Sequence, residues 1–194
     1  MLTIPNLLTF LRLLLVPFFL LASFQHLWLL AFVILMVAAV TDILDGALAR
    51  RLNQRTRLGA LLDPAADKTM LVCGYLFYTF EPHVPRVGIP GWLTFVVFIR
   101  DFMIMTVAYL LYTRVHVKRF PPSWAGKAST LLQMATLATT IAVNAFLPRL
   151  LWLAELLFRV ALVITLYSSW DYLRRGERLL EDGFARASTG EASA

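Results

Sequence analysis

The chain has 194 residues, of which 59% are hydrophobic and 15% charged, with a mean hydropathy of +0.71. That composition lies far outside the range of ordinary soluble domains and points to an integral membrane protein. The formal net charge is +6, but the basic residues fall in short segments between apolar runs rather than on one soluble face, which argues against nucleic acid as a partner.

A spanning helix needs about 20 mostly apolar residues, and six stretches supply them: 7–24, 27–48, 59–80, 92–112, 125–147 and 150–172. They use nearly the whole chain and leave no soluble domain. The first reads as a retained helix rather than a signal peptide, because Arg12 interrupts its apolar part and Pro17 sits inside it. Thr3 can cap it, with Pro5 in the opening turn, where a missing N–H costs little. Asn6, Thr9 and Arg12 recur every third residue and share one broad side.

The second and third helices are joined by a basic turn, residues 51–58. The loop "EPHVPRVGIPGW", residues 81–92, separates the third helix from the fourth with three prolines and two glycines. Trp92 suits an interfacial anchor. "TRVHVKRFPPSW" breaks the chain before the fifth helix, and the tight link near Pro148 suggests a helical hairpin. Residues 1–173 thus form one membrane domain. Residues 174–194 form a polar cytoplasmic tail, a short amphipathic piece followed by small residues expected to be partly disordered.

Placing both termini in the cytoplasm puts Arg50, Arg51, Arg55, Arg57, Arg174 and Arg175 among others on that side, and only Arg86 and Arg149 in the opposite loops. An even number of spans follows. The single Cys73 lies in an apolar span, reads as a small core residue, and cannot form an intramolecular disulfide.

Charged residues within spans are expensive and call for a partner, a water-filled cavity or a function. Glu155 and Arg159 are four apart and can pair on one helix face. Arg100 and Asp101 are adjacent, project about 100° apart, and are each expected to meet another helix. The aspartates are better organised. Asp42, Asp45, Gly46 and Ala49 fall within an arc of about 100° on one helix, and Gly59, Asp63 and Asp67 follow at steps of four on the next, with Pro64 starting or kinking it. Two helices joined by a basic turn can bring the four carboxylates together. Such a set would partly protonate unless something positive sat within it. Mg²⁺, Mn²⁺ or Ca²⁺ prefer oxygen ligands, and no Cys/His cluster speaks for structural zinc. With small residues alongside and Arg50 near, the site suits a phosphate-bearing ligand bridged by metal. On the residues alone, a proton or cation pathway competes with this reading, and a set of structural salt bridges is the plainest one.

The pattern Asp42-x2-Asp45-Gly46-x2-Ala49-Arg50-x8-Gly59-x3-Asp63-x3-Asp67 resembles the signature of the CDP-alcohol phosphatidyltransferases without a departure. The resemblance implies an all-α, integral membrane fold of six transmembrane helices around a polar cavity open to the cytoplasmic side, and a homodimer. It implies a two-metal site, Mg²⁺ or Mn²⁺, held by Asp42, Asp45, Asp63 and Asp67, with Asp67 also the general base. Gly46, Ala49, Arg50 and Gly59 would line the CDP site. "IPNLLTFLRLLLVP", "SWAGKASTLLQM" and "TLYSSWDYL" are similar to the bacterial members that make phosphatidylglycerophosphate from CDP-diacylglycerol and glycerol 3-phosphate. That likeness makes Arg12, Arg114, Lys127 and Arg159 candidates to hold the acceptor phosphate, with Asn6, Thr9 and Thr130 supplying hydrogen bonds. One departure keeps the acceptor open. "IRD", residues 99–101, has Asp where glycerol-3-phosphate users are expected to carry Glu, and is similar to members that take phosphatidylglycerol and form cardiolipin. Inositol phosphate or serine are further alternatives.

Overall fold

The computed structural model describes the backbone of residues 4–52, 57–115 and 123–188, and the side chains of residues 10–42, 68–107, 109, 110, 113 and 123–177. Six helices follow one another: α1 (Ile4–Phe24), α2 (Trp28–Leu52), α3 (Arg57–Phe80), α4 (Gly91–Val115), α5 (Trp124–Ala145) and α6 (Leu151–Ser188), with a 3-10 turn at Pro148–Leu150 before the last. No strand occurs among the described residues, so the protein is all-α as its sequence reads.

The helices match the apolar runs closely at most ends, because each run is bounded by proline, glycine or clustered charge. Two details differ. α3 begins at Arg57, so Pro64 lies within the helix and does not start it. α6 does not stop near Tyr172 but continues to Ser188. Asp171 and Arg175 form an i,i+4 pair at 3.0 Å across the expected boundary, and no proline follows to end the helix. At about 1.5 Å per residue α6 is far longer than a hydrocarbon layer of about 30 Å. Among the described residues, one stretch, Pro148–Glu177, is long and apolar enough to cross a membrane, with mean hydropathy 1.9. Phe10–Phe24 and Trp28–Asp42 are shorter apolar segments.

The chain forms two compact units, Met1–Gly91 with Met134–Leu156, and Trp92–Gln133 with Leu157–Ala194. In the first, α1 packs on α2 and α3. Its inner stripe is Arg12, Val16, Phe19 and Ser23, facing a core to which α2 gives Ala31, Leu35 and Ala38, and α3 gives Met70, Leu71, Tyr75 and Tyr78. Small residues let the helices approach, as in membrane bundles generally. A Cβ at Gly74 would stand 2.6 Å from Cδ2 of the fully buried Leu137 on α5. At one end of this unit, Asn144 ties the loop after α3 to the end of α5. Its Oδ1 accepts from the backbone N–H groups of Arg86 (2.9 Å) and Val87 (3.3 Å), and its Nδ2 donates to the Val87 carbonyl at 2.8 Å. In the same loop Glu81 lies 2.8 Å from His83 Nδ1, and that hydrogen bond holds its carboxyl below the usual carboxylate range.

In the second unit, Thr94, Val97 and Arg100 of α4 are buried with Phe158, Ala161, Thr165, Ser168 and Tyr172 of α6. The part of α5 belonging here buries Ser129 and Gln133, which bond each other at 3.2 Å, while Ser129 also meets Thr165 at 3.1 Å. Polar groups taken out of water or lipid need partners, and Ser129, Gln133 and Thr165 have them.

Candidate active site

Helix phase relates the aspartate positions to the described stripes on α2 and α3. Ala31, Leu35 and Ala38 define the inner stripe of α2, and Asp42 is the next position on it. At 100° per residue, positions 45, 46 and 49 stay within about 60° of that line. On α3 the buried stripe runs through Met70, Gly74 and Tyr78, and continuing it toward the N-terminus gives positions 67 and 63. Both helices are continuous through these positions.

Asp42 is the one member of the set whose side chain is described. Its Oδ1 lies 3.0 Å from Nη1 of Arg12, and the two differ sharply in setting: Arg12 is 2% exposed, whereas Asp42 keeps 47% of its side chain open. One carboxylate oxygen is anchored by α1 while the group still faces outward. That is how protein ligands for cations are commonly held, with a neighbour fixing the ligand's orientation. The sequence grouped Arg12 with the acceptor-binding candidates; the structure places it against Asp42, the first aspartate of the motif. The side chains of Asp45, Gly46, Ala49, Arg50, Gly59, Asp63 and Asp67 lie outside the described residues, as do those of Asn6, Thr9 and Arg114. Their backbones belong to α1, α2, α3 and α4.

Besides Arg12, three candidate acceptor ligands are described in full. Lys127 is exposed on the first turn of α5, with its Nζ 5.4 Å above the Trp124 ring. Thr130, one turn on, is exposed and donates its hydroxyl to the Gly126 carbonyl at 3.1 Å. Arg159 lies on the outer, exposed side of α6, as does Glu155, and no ion pair joins them among the described contacts. The i,i+4 pairing expected from their spacing is therefore not formed.

Arg100 and Asp101 also differ from expectation. Their Cβ atoms diverge, yet the long guanidinium returns, and Nη1 of Arg100 meets Asp101 Oδ1 at 2.7 Å. For Arg100 the expected contacts to other helices are present too: Nη2 donates to Ser168 Oγ of α6 at 3.1 Å and to the Gly126 carbonyl of α5 at 3.4 Å. Ser123, Gly126, Ser168 and Tyr172 complete this cluster, and sequence reasoning gave none of them a role. The available signal was the spacing of Thr165, Ser168 and Tyr172, a polar stripe along an otherwise apolar helix.

The four aspartates that the sequence puts on α2 and α3 would offer oxygen ligands only, the kind that hard divalent cations prefer. The profile of the CDP-alcohol phosphatidyltransferase family matches residues 2–167, and the chain belongs to that family. It is a transferase of a membrane-associated class. Among its relatives, a protein of Escherichia coli strain K12 is 37% identical over 181 residues, covering 88% of this chain and 92% of its own length; its name is CDP-diacylglycerol--glycerol-3-phosphate 3-phosphatidyltransferase. Proteins of the same name from Shigella flexneri serotype 5b and Shigella boydii serotype 4 are each 38% identical over 176 residues, with the same coverage.

Proposed function

We propose that the protein transfers the phosphatidyl group of CDP-diacylglycerol to glycerol 3-phosphate, giving phosphatidylglycerophosphate and CMP in phospholipid synthesis. The observation that carries this reading is the full eight-position aspartate motif, begun by a carboxylate that Arg12 anchors at 3.0 Å. The names of relatives at 37–38% identity over most of the chain support the choice of acceptor.

Asp42, Asp45, Asp63 and Asp67 would hold Mg²⁺ or Mn²⁺. Bound there, the metal would neutralise the donor diphosphate and stabilise the charge that develops on the departing CMP. The chain's own residues do the rest. Gly46, Ala49 and Gly59 keep the donor side free of bulk, and Arg50 pairs with donor phosphate. Asp67 accepts the proton of the acceptor hydroxyl as its oxygen attacks the β-phosphorus and the bond to the CMP oxygen breaks. Holding that hydroxyl in line supplies much of the acceleration. Arg12 fixes the orientation of Asp42. Arg114 and Lys127 supply positive charge for the acceptor phosphate, and Asn6, Thr9 and Thr130 supply hydrogen bonds; Arg159, on the outer side of α6, takes no part in this reading.

In this reading all six helices cross the bilayer around a polar cavity on the cytoplasmic side, with both termini cytoplasmic and the enzyme a homodimer. The excess of basic residues in the loops assigned to the cytoplasm supports that orientation. A second acceptor, phosphatidylglycerol, is favoured by one observation only, the aspartate at 101.

Purified protein in detergent or lipid, with Mg²⁺ or Mn²⁺ and CDP-diacylglycerol, is expected to release CMP when glycerol 3-phosphate is added. Release that requires phosphatidylglycerol instead would move the enzyme to the cardiolipin-forming branch. Ion flux in liposomes without CMP formation would replace the transferase reading by a transport one.

A further inference from the structure

We infer that Arg100 is the positioning residue that sets the first turn of α5, and through it Lys127 and Thr130, for acceptor binding. The inference rests on the reading of those two residues as acceptor ligands.

Arg100 is 4% exposed and its charge is met by Asp101 at 2.7 Å. A guanidinium so buried and so paired is not presented to an anionic substrate. Its remaining contacts all go to one place. Nη2 reaches Ser168 Oγ and the Gly126 carbonyl, and the same carbonyl accepts the Thr130 hydroxyl. Ser123 caps α5 by accepting the Gly126 N–H on its Oγ at 2.9 Å, while its own N–H donates to the Tyr172 hydroxyl at 3.2 Å. The Tyr172 ring lies 5.7 Å from the Arg100 guanidinium. Groups from α4, α5 and α6 therefore meet at residues 123–126, one residue before Lys127.

The fit leaves no slack. A Cβ at Gly126 would stand 2.8 Å from Tyr172 Cε2 and Oη and 3.2 Å from Arg100 Nη2. Apolar contact could hold a helix here more cheaply than a buried ion pair. What the guanidinium adds is direction: its planar fork fixes distance and angle together. Lys127 and Thr130 follow rigidly, being on the same helical turn and the next.

The test is steady-state CMP release with each substrate varied, for wild type, Arg100→Lys, Ser168→Ala and Gly126→Ala, with thermal stability measured alongside. Arg100→Lys is expected to raise the KM for glycerol 3-phosphate about tenfold, the loss of one charge-assisted hydrogen bond's worth of alignment, while the CDP-diacylglycerol KM moves less than about twofold. Ser168→Ala and Gly126→Ala should shift the acceptor KM in the same direction by less, and combining Arg100→Lys with Lys127→Ala should cost less than the product of the two. Acceptor KM unchanged in all three variants, or donor and acceptor KM rising together, overturns the inference while leaving the functional reading intact. A wild-type protein that releases no CMP with glycerol 3-phosphate overturns the functional reading and this inference with it.

Discussion

Removing Arg12 tests the link between α1 and the aspartate motif. Arg12→Met keeps much of the side chain's length and apolar body and deletes the guanidinium that meets Asp42 at 3.0 Å. A solvent-exposed pair is worth about 0–1 kcal/mol, and breaking a fully buried one costs about 3–5 kcal/mol. This pair lies between, since Arg12 is 2% exposed but Asp42 is 47% exposed and can turn to water once released. A charge-assisted hydrogen bond of about 1.5–3 kcal/mol is the appropriate scale. The assay is a double-mutant cycle with Asp42→Asn, read by denaturant unfolding in a fixed detergent and followed by tryptophan fluorescence. The two changes should couple by at least about 1 kcal/mol, because each removes the same contact. In parallel, Mn²⁺ binding followed by its spin resonance signal should weaken in Arg12→Met, because Asp42 loses its orienting partner. Additivity within about 0.5 kcal/mol together with unchanged Mn²⁺ affinity would refute the reasoning.

Gly74→Ala forces a methyl to within 2.6 Å of Leu137 and should destabilise the protein by about 1–3 kcal/mol. Adding Leu137→Ala should recover part of that loss, and strict additivity of the two in unfolding measurements would speak against the packing described. Asn144→Ala removes the acceptor of two loop N–H groups, at about 1–3 kcal/mol for leaving them unpaired; hydrogen exchange at Arg86 and Val87 should accelerate, and unchanged protection would contradict the clamp. Asp67→Asn should lower turnover by about 10²–10⁴-fold while CDP-diacylglycerol binding falls much less; turnover near wild type would remove Asp67 from the proton-accepting role.

The helices were legible because apolar length and punctuation are local properties. The end of α6 was not, since Arg174, Arg175 and Gly176 read as a polar tail, while the i,i+4 pair Asp171–Arg175 carries the helix through them. Spacing likewise fixes which positions share a helix face whatever the helix packs against, and of the aspartates so placed Asp42 is the one whose side chain is described. The partner of Asp42 was hidden because contact between α1 and α2 is tertiary, and Arg12 carries no mark of where its guanidinium goes. Arg100 and Asp101 show the limit of phase arguments. Helix geometry places Cβ atoms, and an arginine is long enough to return to a neighbour that its Cβ points away from. The cluster at residues 123–126 went unread because its members are common polar residues, each unremarkable until three helices bring them together.

The central claim, that the aspartate motif serves transfer to glycerol 3-phosphate, is tested most directly by acceptor-dependent CMP release. Purified wild-type protein with CDP-diacylglycerol and Mg²⁺ or Mn²⁺ is offered glycerol 3-phosphate, phosphatidylglycerol, inositol phosphate and serine in turn. The expected result is CMP formed with glycerol 3-phosphate, matched one for one by phosphatidylglycerophosphate, and abolished by chelation of the metal. CMP formed only with another acceptor, or formed undiminished after chelation, would contradict it.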